Sequence, residues 1–214
     1  MTGERDGGIA RVLALPPLAR IREELARRTP TVIALEERAR RAAVALILRA
    51  GALDALELLM IKRAAYEGDP WSGHVALPGG RQEPGETLSD TAVRETWEET
   101  ALDLGRDARL LGRLDDVEPR SVRLPRLVIA PFIFAYAGPP AVSLGPEVAE
   151  AFWVPLEALR DPAASREIVL ELTGGPRRVA SFQHGGYTIW GLTERVLRQF
   201  LGLVGEERGP GARE

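Results

Sequence analysis

Apolar residues recur along this chain at two periods, and each change of period marks an element. Leu18, Ile21 and Leu25 are at helical spacing, which predicts a short amphipathic helix from Pro17 to Arg28, halted by Pro30. The apolar runs Ala42–Leu48 and Leu58–Ile61, joined through Gly51-Ala52-Leu53-Asp54, predict paired strands. Val75–Leu77 predicts a third, short strand. From Thr87 the pattern turns helical, and Thr87 with Asp90 is spaced as a capping box. Ala108–Leu114, Leu127–Tyr136 and Phe152-Trp153-Val154 return to strand patterning, with a turn or short helix following at Leu156–Leu159. Glu167–Leu172 and Val179–Gln183 predict a hairpin around Gly174-Gly175-Pro176. A last amphipathic helix spans Leu192 to Leu203, with Val196, Leu197, Phe200 and Leu201 on its apolar side. Residues 1–15 and the charged, Gly-rich stretch from Gly205 are expected to be poorly ordered.

Composition narrows the class. The 214 residues contain no internal repeat and suggest one domain over 36–204, preceded by a segment (1–35) carrying the short helix and followed by a flexible tail (205–214). Net charge is -3, from 28 basic and 31 acidic residues, so bulk electrostatics favour neither nucleic acid nor an anionic membrane as partner. The absence of cysteine excludes disulfides, thiolate metal sites and a Cys nucleophile. His74 and His184 are too few and too far apart for a zinc site. The N-terminus MTGERDGG has no signal-peptide core and no apolar run reaches membrane length, so a cytoplasmic location is expected.

Chemistry concentrates in GRQEPGETLSDTAVRETWEETAL, from Gly80 to Leu102. Glu98 and Glu99 follow Glu95 by three and four residues, offsets that share one face of a helix. Like charges so placed repel, and a hard divalent cation among the oxygens reverses that electrostatics. Upstream, Leu77-Pro78-Gly79-Gly80 ends an apolar run in a glycine pair, which lets the backbone approach a ligand closely. A solvated acidic helix is the plainer alternative, but it explains neither the glycine pair nor the fixed spacing.

The stretch resembles the Nudix box, the signature of the Nudix hydrolases, at Gly80, Glu86, Arg94, Glu95, Glu98, Glu99 and Leu102. Thr96 stands where an aliphatic residue is usual, and Ala101 replaces the closing Gly, so Gly105 could end the helix a turn later. The resemblance implies an α+β Nudix fold, a mixed β-sheet sandwiched between α-helices, over roughly residues 40–204. It implies Mg²⁺ or Mn²⁺ held by Glu95, Glu98, Glu99 and the carbonyl of Gly80, with Glu86 and Arg94 as a structural salt bridge. Mg²⁺ suits diphosphate cleavage because it binds carboxylates and phosphate oxygens while keeping waters. Catalysis would rest on Glu98 and Glu95 with a carboxylate from a later loop, Glu147 first and Glu150 second.

Flanking segments are similar to those of the coenzyme A pyrophosphatases. These are Leu59–Ala64, Gly73–Gly80, Leu111–Asp116, Pro131-Phe132 and Tyr187–Thr193. Leu77 replaces a Phe of that pattern, Gly68-Asp69 lies where a second basic residue is usual, and the spacing is about one residue longer. Arg63, Arg81 and His74 are the candidates for contacting the diphosphate of a small-molecule substrate. A structural hydrogen bond is an equal reading for His74. Trp71 reads as a loop anchor, Trp190 as core, and Arg38–Arg41 as a solvated face. Three functions follow: a coenzyme A pyrophosphatase, a hydrolase of ADP-ribose (Pro119 being a weak sign) or another nucleotide sugar or dinucleotide, and a non-catalytic Nudix-fold binding module. The isoprenoid diphosphate isomerases of this fold need a Cys that is absent here. A homodimer is compatible with each.

Overall fold

The computed structural model describes residues 2–34, 40–66, 72–119, 127–172 and 175–205. Its elements run α1 (Thr2–Leu13), α2 (Pro16–Arg27), β1 (Arg40–Ala50), β2 (Leu56–Arg63), β3 (Val75–Ala76), β4 (Gly79–Arg81), α3 (Leu88–Thr100) and α4 (Leu104–Asp107). They continue with β5 (Ala108–Arg113), β6 (Leu127–Tyr136), β7 (Val148–Pro155), α5 (Leu156–Arg160), β8 (Ser165–Leu172), β9 (Gly175–His184), β10 (Tyr187–Trp190) and α6 (Gly191–Val204).

β1 is apolar from Ala42 to Leu48 because both of its faces are covered there. Ala42, Leu46 and Leu48 join one core, and Ala43, Ala45 and Ile47 join another. β6 alternates likewise, with Ile129, Ile133 and Ala135 on the first side and Ala130, Phe132, Phe134 and Tyr136 on the second. The first core also contains Leu18 and Ile21 of α2 and Val196, Leu197 and Phe200 of α6. The second contains Ala92 of α3 with Leu102 and Leu104 just beyond it. The result is a mixed sheet between two helical layers, an α+β architecture.

Pairing in this sheet positions the glycine pair. β6 runs parallel to β1 from Arg40 to Leu48 and so occupies one edge of it. The other edge is divided: β2 pairs antiparallel at Leu48–Ala50, and β4 pairs antiparallel at Ala42–Val44. β1 and β2 therefore diverge, and residues 75–81 fill the opening, with β3 on β2 and β4 on β1. Ala45 N–H donates to the Pro78 carbonyl at 2.8 Å, closing the join. β7 lies antiparallel on β2 and β5 antiparallel on β6. A second, three-stranded sheet runs β10-β9-β8.

Two expectations need correction. Residues 2–13 form a helix, and Val12, with Leu15 just beyond it, enters the same core as α2 while Leu13 packs against it; these apolar anchors bunch at the C-terminal end, so no helical period ran along the segment to show it. The box helix ends at Thr100 with no extension to Gly105. Ala101 itself takes the left-handed conformation (φ 56°, ψ 19°), and α4 begins separately on an Asp103 cap. Trp71, Gly68-Asp69, part of Arg38–Arg41, the hairpin turn at 173–174 and the tail from 206 fall outside the described residues. Among the described residues, no helix is long and apolar enough to cross a membrane.

Candidate active site

The start of α3 is fixed by the sequence pattern read above. Thr87 Oγ1 accepts from Asp90 N–H and the Asp90 carboxylate accepts from Thr87 N–H, a complete capping box. Beside it, Arg94 gathers the whole loop. Its Nε donates to Glu86 Oε1 at 2.6 Å and its Nη2 to Glu86 Oε2 at 3.2 Å, a bidentate pair. Nη2 also donates to the Arg81 carbonyl at 3.0 Å, tying β4 to the helix. Nη1 reaches Glu95 Oε1 and Glu98 Oε2, both at 3.1 Å. These bonds hold the Glu86 carboxyl down at about 2, with Thr91 Oγ1 donating a further bond.

Deeper along the same face the electrostatics reverse. Glu99 is 4% exposed, and its Oε2 accepts from the Gly79 N–H at 2.9 Å. Burial pushes its carboxyl up to about 8 against the help of that N–H, and the charges of Glu95 and Glu147 add to the rise. Burial also raises Glu95; Arg94 opposes the shift, and Glu98 and Glu147 reinforce it. Glu95 lies directly over Gly80: a Cβ there would fall 2.4 Å from its carboxyl carbon. The glycine is therefore required for the carboxylate to lie against the strand. Glu98 sits at the rim, its side chain 54% exposed.

Glu147 enters from the turn before β7. Ala64 N–H donates to its carbonyl at 2.8 Å, and its Oε2 stands 3.8 Å from Arg63 Nη2. Arg63 in turn favours the charged form of Glu99. The turn is docked on the end of α3, a feature the sequence reading missed. Ser143 N–H donates to the Thr100 carbonyl and Gly145 N–H to the Glu99 carbonyl, at 3.1 and 3.0 Å. A Cβ on Gly145 would meet the Glu98 carbonyl at 2.1 Å. The signal was Gly145-Pro146 immediately before a carboxylate, a turn dipeptide whose partner lies far away in sequence.

The other candidates are scattered. Arg81 is exposed on β4, next to the glycine pair. His74 packs its ring on Trp190, centroids 4.6 Å apart, and Trp190 is only half-buried, as the partner of that ring and not as core. Glu150 is turned to the opposite side of the sheet. It pairs with Lys62 Nζ at 2.6 Å and accepts from the Tyr187 hydroxyl at 2.5 Å, and Lys62 shares the strand face of Leu58 and Met60. Arg41 donates to the Ile33 carbonyl. Asp115 and Asp116 bind the strap from α2 to β1, through Arg28, Thr31 N–H and Ile33 N–H.

The donor set suits a hard cation. Carboxylates raised by burial and by one another are stabilised by a divalent charge, and oxygen-only ligands suit Mg²⁺ or Mn²⁺. Among the described residues no three Asp, Glu or His side chains are already arranged as a metal cluster; Glu95 and Glu98 are engaged by Arg94 instead.

The chain belongs to the Nudix family: the profile of the NUDIX domain matches residues 38–172. An uncharacterized protein of Schizosaccharomyces pombe is 35% identical over 123 residues, 53% of this chain and 36% of that protein. This chain thus spans little more than a third of that relative's length. A MutT/nudix family protein from Enterococcus faecalis shares the fold, with a TM-score of 0.54 over 87% of this chain and 69% of that one at 20% identity. The NUDIX domain of Shewanella oneidensis NrtR, complexed with ADP-ribose, is 22% identical over 63% of this chain and 82% of that one, with a TM-score of 0.45.

Proposed function

We propose that this protein is a metal-dependent hydrolase of the diphosphate linkage in nucleoside diphosphate derivatives, with coenzyme A as the first candidate substrate. The observation that carries the reading is the packing of the Glu95 and Glu99 carboxyls against Gly79 and Gly80, where burial and mutual repulsion leave a deficit of positive charge. Glu95, Glu98, Glu99 and the Gly80 carbonyl would hold Mg²⁺ or Mn²⁺, which supplies charge neutralisation of two phosphoryl groups and an acidified water. Glu147 is the proposed base. It stands beside Glu95 and Glu99, and the cation paired with it among the described residues, Arg63, is 3.8 Å away. Arg63 and Arg81 would meet the diphosphate, and Arg94 holds the loop rigid between them.

Coenzyme A rests on the flanking sequence resemblance, and attack on its diphosphate would release 4′-phosphopantetheine and 3′,5′-ADP. The test is a comparison of kcat/KM for coenzyme A, its form lacking the 3′-phosphate, and ADP-ribose, with Mg²⁺ or Mn²⁺. A tenfold preference for ADP-ribose, about 1.4 kcal/mol, replaces the first substrate by the second. No cleavage of any diphosphate by folded, metal-bound protein leaves a binding module.

A further inference from the structure

Beyond the box, the turn carrying Glu147 is held by a residue that no motif includes. Tyr66 lies three residues past the end of β2, half-exposed, at the edge of the site. Its hydroxyl donates to the Pro146 carbonyl at 2.8 Å, across 80 residues of sequence. Two residues earlier, Ala64 N–H donates to the carbonyl of Glu147 itself, also at 2.8 Å. Tyr66 is in turn braced by its own N–H, which donates to Ser72 Oγ at 2.9 Å. Two adjacent carbonyls of the turn are thus gripped by one short segment, while Gly145 pins the turn's other side to α3. The Glu147 side chain, 65% exposed, has little packing to orient it, so its direction is set by these backbone clamps.

We propose that Tyr66 is a positioning residue for Glu147, its hydroxyl fixing the turn that presents this carboxylate to Glu95 and Glu99. The inference rests on Glu147 acting as the base. A hydroxyl that holds a catalytic group one peptide away acts on the chemical step and leaves substrate binding alone.

The experiment is a double-mutant cycle of Tyr66→Phe and Glu147→Gln, measured with Mg²⁺ on whichever of coenzyme A and ADP-ribose the parent turns over faster. Tyr66→Phe keeps the ring and removes one hydrogen bond, so kcat is expected to fall three- to tenfold at unchanged KM. In the Glu147→Gln background the same change is expected to have no further effect, because the group it positions is gone. Hydrogen exchange supplies a readout independent of activity: the Ala64 amide is expected to exchange faster in Tyr66→Phe. A silent Tyr66→Phe, or one that costs the same factor in both backgrounds, overturns the positioning role. Near-parental activity of Glu147→Gln removes instead the base reading on which the inference rests.

Discussion

Glu86 and Glu99 belong to one motif thirteen positions apart, yet their surroundings drive them in opposite directions. Glu86 receives two bonds from Arg94, one from the Glu83 N–H and one from Thr91, and its carboxyl sits at about 2. Glu99 is buried with one N–H donor, and the charge of Arg63 does not offset burial and two nearby carboxylates, so its carboxyl sits at about 8. The outer end of the box is complete within the chain. The inner end is not, and what it lacks is positive charge. On the proposed metal assignment, the structural and the metal-binding glutamates of the motif would differ in the charge each is missing.

The largest expected effect tests that division directly. Glu98→Gln and Glu99→Gln keep shape and helix propensity, but each removes a carboxylate proposed as a metal ligand. Turnover is expected to fall about a thousandfold, some 4 kcal/mol of transition-state stabilisation, with circular dichroism unchanged. Near-parental rates for both variants at saturating Mg²⁺ would show that the inner end is not the metal site.

The next effect is on stability, and it has opposite signs at the two ends. Glu99 has its folded pKa raised from 4.5 to about 8, so the folded state holds the proton more tightly. Its contribution is full below 4.5 and is lost as pH rises toward 8, about 3 kcal/mol of it by pH 7. Glu86 has its folded pKa lowered from 4.5 to about 2, so its contribution is present above 4.5 and is lost as pH falls through 2. Urea denaturation in EDTA is expected to show stability declining from pH 5 to 8, and Glu99→Gln should flatten that decline. A slope unchanged in the variant would assign it to another group.

Gly80→Ala sharpens the comparison more gently. The new methyl would overlap the Glu95 carboxyl, which can swing away on its flexible stem. Activity is expected to drop about tenfold, about 1.4 kcal/mol, while the melting temperature moves little. Unfolding of the variant would instead make the glycine a requirement of the β1–β4 pairing.

What was legible in the sequence follows from separation along the chain. The capping box, the Glu86–Arg94 pair and the common face of the three glutamates all depend on offsets within a single loop and helix, and fixed spacing encodes them. The alternation of β1 and β6 showed as unbroken apolar runs because both faces are buried. The docking of 143–147 on the end of α3 and the Tyr66 clamp join distant segments through backbone carbonyls, which leave almost no residue-type signature. Glu150 shows the reverse case. It was the second candidate after Glu147 in sequence, and strand direction turned it to Lys62 on the far face.

The smallest effect concerns the end of α3, where Ala101 does what a glycine does more cheaply. An L-residue with a Cβ held at φ 56° costs about 1 kcal/mol relative to glycine. The helix nevertheless stops here. Ala101 N–H donates to the Trp97 carbonyl at 2.8 Å, while Ser143 and Gly145 take the carbonyls of Thr100 and Glu99. Leu102 is buried immediately afterwards, which leaves no room for another turn. The strain is therefore imposed by the docked turn and by Leu102, and the same restraints persist without it. Ala101→Gly is expected to raise stability by about 1 kcal/mol, offset in part by the freer unfolded chain, a rise of about 2–4 °C at most for a domain of this size. Activity should stay within a few fold of the parent, because Glu98 and Glu99 precede the substitution and keep their geometry. A lower melting temperature would mean that the alanine methyl makes a packing contact worth more than the strain it causes.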